Sequence, residues 1–103
     1  MKRLHVQIQP ARSRQLDVAL AVARLSNLRA DARVTEGEDK VLFINIDYNA
    51  ADLPETWASV RNELSDIPGL AESSIVVCEG QNGWDDYLLL HHFDPAESVD
   101  AVE

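Results

Sequence analysis

The sequence predicts an α+β domain in which two helices cover one face of an antiparallel β-sheet. Three observations carry this. Ser73–Phe93 reads as a long β-hairpin around Asn82-Gly83, because a type I′ turn needs φ > 0 at both central positions and Asn-Gly supplies it. Lys2–Gln9 and Lys40–Tyr48 alternate with the period of a strand that has one buried face. Leu53, Trp57, Val60, Leu64 and Ile67 recur at helical spacing behind a capping-box pair, Asp52 and Glu55.

The first strand turns Leu4, Val6 and Ile8 one way and His5, Gln7 and Gln9 the other, and Pro10 ends it. Ser13–Leu28 follows as a helix with Ser13 as N-cap. Its apolar residues Leu16, Val18, Ala19, Leu20, Val22, Ala23 and Leu25 span more than half the circumference, wider than a surface helix needs, with a narrow polar side at Asp17 and Arg24. Ala32–Thr35 is a short strand, and Glu36-Gly37-Glu38-Asp39 an acidic turn. In Lys40–Tyr48, Leu42, Ile44, Ile46 and Tyr48 form the expected core face, opposite Val41, Phe43, Asn45 and Asp47. The second helix runs from its Asp52 cap, with Pro54 in the first turn, to Pro68-Gly69; Trp57 on its stripe is expected to anchor the core.

If Asn82-Gly83 is a two-residue loop, Val77 faces Leu88, Cys78 faces Tyr87, Val76 faces Leu89 and Ile75 faces Leu90. One hairpin face then carries Ile75, Val77, Leu88, Leu90 and His92; the other carries Val76, Cys78, Tyr87, Leu89, His91 and Phe93. Both are apolar in the middle, so the hairpin needs cover on both sides. Helices supply one cover, and a partner subunit, a ligand or another part of the chain the other. Ile75, Val77, Leu88 and Leu90 are the interface candidates, and a homodimer is the expected state. The order strand, helix, strand, strand, helix, strand, strand suggests a ferredoxin-like βαββαβ sandwich with an extra C-terminal strand. The first four strands are expected in the order 4-1-3-2, with the fifth beside the fourth. Residues 1–93 form the single domain, and 94–103 an acidic, frayed tail.

At 103 residues, 46% of them apolar, the chain can bury a core. Its net charge of −9 is uneven: residues 1–33 hold seven basic and two acidic side chains, the remainder two and sixteen. Such a balance argues against nucleic acid as a partner. The basic cluster Lys2, Arg3, Arg12 and Arg14 offsets the acidic remainder. No apolar run has membrane-spanning length, and no signal peptide is read at the N-terminus. The lone cysteine, Cys78, excludes an intramolecular disulfide and points to a reduced, cytoplasmic setting; mid-strand among apolar residues it reads as a buried structural thiol.

Convergent polar groups are few. His5, Gln7 and Asn45, with His91 or His92 according to which hairpin face is open, form the candidate ligand-binding set. Glu79 opposes Asp86 in the inferred register, with Asp85 adjoining; like charges across a ladder need water, a basic side chain such as Arg3, or a divalent cation. No nucleophile–base spacing, nucleotide fingerprint or cofactor motif is present, so no cofactor is expected. The leading expectation is a small, non-enzymatic, oligomeric domain binding a protein partner or small ligand on its open sheet face. The alternatives are a small enzyme whose cavity forms between the faces of a homodimer, and an acidic protein that neutralises a basic target.

Overall fold

Lys2–Ile8 form β1, the middle strand of a five-stranded antiparallel sheet, in a computed structural model that describes residues 2–39 and 41–101. The remaining elements are α1 (Val18–Ser26), β2 (Arg33–Asp39), β3 (Val41–Ala50), α2 (Leu53–Asp66), β4 (Ser74–Gly80) and β5 (Gly83–His91). The strand order is β2-β3-β1-β4-β5, the order expected from the sequence. Among the described residues no helix is long and apolar enough to cross a membrane.

Strict alternation makes β1 the organiser. Leu4, Val6 and Ile8 lie opposite Tyr48, Ile46 and Ile44 of β3 on one side and Cys78, Val76 and Ser74 of β4 on the other. These residues share one sheet face, and both helices pack there: Ala21 and Leu25 from α1 and Val60 and Leu64 from α2 join them in one buried cluster. The buried Tyr48 hydroxyl donates to the Leu25 carbonyl at 2.5 Å, tying β3 to the end of α1, and burial holds the phenol far above its ordinary pKa. Arg24 of α1 clasps Glu63 of α2: Nη2 donates to Oε1 at 3.0 Å, while Nε lies 2.8 Å from Oε2 as an ionic contact outside hydrogen-bond alignment.

Several elements depart from the sequence reading. α1 starts four residues later than expected, cap to cap, because Pro10–Arg12 forms a 3₁₀ turn and Asp17, not Ser13, accepts from the Leu20 N–H as N-cap. The helix turns an ordinary stripe to the core, with Ala21 and Leu25 fully buried and Val18 and Val22 packed beside them, and leaves Leu20 42% exposed. The supposed acidic turn is strand: Glu36–Asp39 continue β2 and pair along β3, with Gly37 opposite Phe43, whose ring covers the place a glycine Cβ would take. Lys40, the expected first residue of the next strand, lies outside the described residues. α2 begins as expected, with the Asp52 carboxylate accepting from the Glu55 N–H at 3.1 Å. Trp57 is only partly buried, at the rim of the core, and its ring lies under the Arg61 guanidinium. The tail, expected to fray, comes back to β5: the Asp100 N–H donates to the Leu89 carbonyl at 2.6 Å, and the Leu89 N–H to the Asp100 carboxylate at 2.8 Å.

The hairpin register is the main correction. Gly80 pairs with Gly83, so Gln81-Asn82 forms the loop and Gly83 follows it at φ 70°, the setting of a turn closed by a left-handed glycine. From Gly80↔Gly83 to Cys78↔Leu88, β4 advances two residues and β5 five; a second irregularity puts Leu90 between Leu89 (opposite Val77) and His91 (opposite Val76). Asp86 causes the first bulge: its carboxylate accepts from the Asn82 N–H at 2.8 Å, and its carbonyl sits against the Gly80 Cα. Cys78 therefore faces Leu88, and Tyr87 is 56% exposed. The four interface candidates do not share a face: Ile75 and Val77 lie on the open side, Leu88 packs on the core and Leu90 is buried.

The two hairpin glycines should respond differently to substitution. A Cβ at Gly80 meets backbone, so Gly80→Ala should disrupt the bulge. A Cβ at Gly83 meets nothing within 4 Å, so Gly83→Ala should carry only the left-handed backbone cost of about 1–2 kcal/mol. Urea unfolding of both variants is expected to rank Gly80→Ala as the more destabilised.

Candidate functional site

The sheet face turned away from the helices is built from the other half of each alternation. One row crosses all five strands: Arg33 of β2, Asp47 of β3, His5 of β1, Val77 of β4 and Leu89 of β5. The next row is Thr35, Asn45, Gln7 and Ile75. The face is thus polar over β2, β3 and β1 and apolar over β4 and β5. His5, Gln7, Asn45, Asp47, Ile75, Val77 and Leu89 are all partly accessible.

At the junction of the two halves, His5 Nδ1 lies 2.7 Å from Asp47 Oδ1, with the side chains 24% and 35% exposed. An ionised carboxylate only accepts, so Nδ1 carries the proton and Nε2 of the neutral ring keeps its lone pair. A cross-strand carboxylate that fixes the tautomer in this way presents Nε2 as a hydrogen-bond acceptor or general base. Beside Asp47 is a hollow of about 50 Å³ lined by Arg3, Arg33, Asp31 and Asn49, room for a water or two. Desolvation is the largest single influence on Asp31 and opposes ionisation, but the Arg29 hydrogen bond and charge and the Asn49 N–H together outweigh it and hold the carboxyl below its ordinary pKa.

The structure brings together three of the five ligand-binding candidates. His5, Gln7 and Asn45 are neighbours; Gln7 Oε1 accepts from Gln9 Nε2 at 3.0 Å, and the buried Asn45 Oδ1 has no hydrogen-bond partner. Gln9 in turn accepts from Arg12, whose guanidinium stacks 3.6 Å from the Phe93 ring centre. His91 is elsewhere: its Nε2 meets the Ala71 carbonyl at 2.8 Å. His92 accepts from the Asp94 N–H at 3.0 Å and leans on Phe93.

Two of the three acidic hairpin candidates are engaged by the chain itself. Glu79 accepts from the Arg3 N–H at 3.1 Å, and Asp86 caps the loop through Asn82. Asp85 is exposed. Among the described residues no three His, Cys, Asp or Glu side chains gather as a metal-holding group.

Asp47 is the residue that reading the sequence missed. It stood on the correct face of its strand, and the β1–β3 register that pairs it with His5 was the available signal. Arg33 lay within the expected strand Ala32–Thr35, and only the β2–β3 register that sets it opposite Asp47 brings it onto this row. Neither a family model, nor a curated protein, nor a solved structure matches the chain.

Two measurements follow from this geometry. In nitrogen-detected NMR, His5 should show the Nδ1–H tautomer in the parent chain and shift toward the commoner Nε2–H form in Asp47→Ala. Cys78 is fully buried, and burial pushes its thiol pKa up. A disulfide reagent near neutral pH should therefore label it slowly in the native chain and quickly in urea.

Proposed function

We propose that this chain is a non-enzymatic, ferredoxin-like domain that works as a homodimer through its open sheet face. The row from Arg33 to Leu89 carries the reading. It places Val77 and Leu89, with Ile75 beside them, as a partly accessible apolar strip on a face that no described helix covers. Two-fold pairing buries such a strip with one operation, and sheets stacked at about 10 Å interdigitate side chains of this size. The strand order β2-β3-β1-β4-β5 with both helices on one face supports the ferredoxin-like assignment.

The His5–Asp47 pair favours a second reading, in which the polar half of the face binds a small ligand or carries out proton transfer inside the dimer. Nε2 is the oriented acceptor, and Gln7 and Asn45 are the hydrogen-bonding neighbours. A Val77→Asp substitution separates the readings. Sedimentation of the parent at micromolar concentration should give about twice the 11.5 kDa chain mass. Val77→Asp should keep its circular dichroism and sediment as a monomer. A monomeric parent would sink the dimer proposal while leaving the ligand reading to His5→Gln binding studies.

A further inference from the structure

A second concavity lies on the opposite side of the molecule, between α2 and the outer edge of β5. It measures about 610 Å³, and its walls include Trp57, Arg61, Leu90, His91, Val99 and Asp100. The last two belong to the tail, so the chain itself shows what this groove accepts.

The contact is specific in its chemistry. Leu89 sits opposite Val77, and its N–H and carbonyl point outward at the sheet edge, where Asp100 uses both. The Asp100 backbone supplies the donor, as a neighbouring strand would. Its carboxylate, in place of a strand's carbonyl, supplies the acceptor. One residue thus satisfies an edge position that strand addition would otherwise fill. The residue before it, Val99, lines the groove yet stays 54% exposed, and the groove keeps its volume beside the tail. The tail is anchored at Asp100 and fits loosely elsewhere.

We propose that the groove between α2 and β5 is a binding site for an extended peptide that presents an apolar residue followed by aspartate, and that the chain's own Val99-Asp100 holds the β5 edge of that groove until such a peptide displaces it. The aspartate carboxylate takes the Leu89 N–H, the peptide backbone donates to the Leu89 carbonyl, and the apolar side chain lies against Trp57 and Leu90. The Trp57 ring, half out of the core under Arg61, is an apolar wall with a positive charge beside it, which suits an acidic peptide. The two sites meet at Leu89, whose backbone serves the groove while its side chain belongs to the open sheet face. Because only eight residues separate Asp100 from His91, the tail competes at a millimolar-scale effective concentration, and a peptide in trans must exceed it.

The probe is a capped peptide of the tail sequence Glu97–Ala101, titrated into the full-length chain and into Asp100→Ala, with hydrogen exchange at the Leu89 amide and Trp57 fluorescence as readouts. Asp100→Ala should exchange the Leu89 amide at least about tenfold faster than the parent, with the central strand β1 unchanged. The peptide should restore that protection and bind the variant at least about threefold more tightly than the parent. A control peptide with alanine in place of its aspartate should lose the effect. Unchanged Leu89 exchange in the variant, equal binding of the control peptide, or resonance changes confined to His5 and Val77 would overturn the proposal. Should the variant not fold, the parent decides: no faster exchange at the tail's own Asp100 amide with the peptide in tenfold excess over the millimolar tail would overturn it equally.

Discussion

The fold depends on the alternation of a single central strand. β1 pairs on both sides, so each of its residues is committed to one sheet face with a neighbour on either hand. Leu4, Val6 and Ile8 are fully buried and form the floor on which both helices settle. Arg3, His5 and Gln7 are thereby forced onto the other face. A one-residue slip would exchange the two sets and put an imidazole and an amide under the helices, so register here is set by the burial of three aliphatic side chains. The open face is the complement of the core, and its polar character begins with that constraint.

How much could be read in the sequence followed from how local the governing physics is. The two faces of β1, the core face of β3 from Ile44 to Tyr48 and the Asp52 cap of α2 depend on neighbours in the chain, and all were legible. The start of α1 was not, since Ser13 and Asp17 are both good caps and the choice is made by the 3₁₀ turn after Pro10. Acidic residues around Gly37 read as a turn because strand propensity is low there; pairing with β3 and the Phe43 ring override it. The hairpin failed for a subtler reason. Gly83 was rightly marked as left-handed, but Asp86 binding back to Asn82 moves the loop by one residue and inserts extra residues in β5. Propensity identifies a turn, and side-chain hydrogen bonds several residues away decide its register.

The candidate site was legible by half. Alternation alone grouped His5, Gln7 and Asn45. Pairing His5 with Asp47 requires a register between strands more than forty residues apart, which no local pattern carries. The apolar half shows the reverse error: counting from the wrong loop assigned Leu88 and Leu90 to the open side, where the structure has Leu89. Bulges cost the reading because each extra residue reverses the facing of everything beyond it.

Neither outer edge of this sheet is a clean template for another strand. β2 carries Glu36, Glu38 and Asp39 in sequence, with a glycine under an aromatic ring between them. β5 is broken twice in its ladder, and its Leu89 position is closed by an aspartate. Edge-on addition of identical chains would generate an open-ended array, whereas pairing through a broad face under a two-fold axis closes after one partner. Spoiled edges and an accessible face therefore bias self-association toward a finite particle and away from fibre growth.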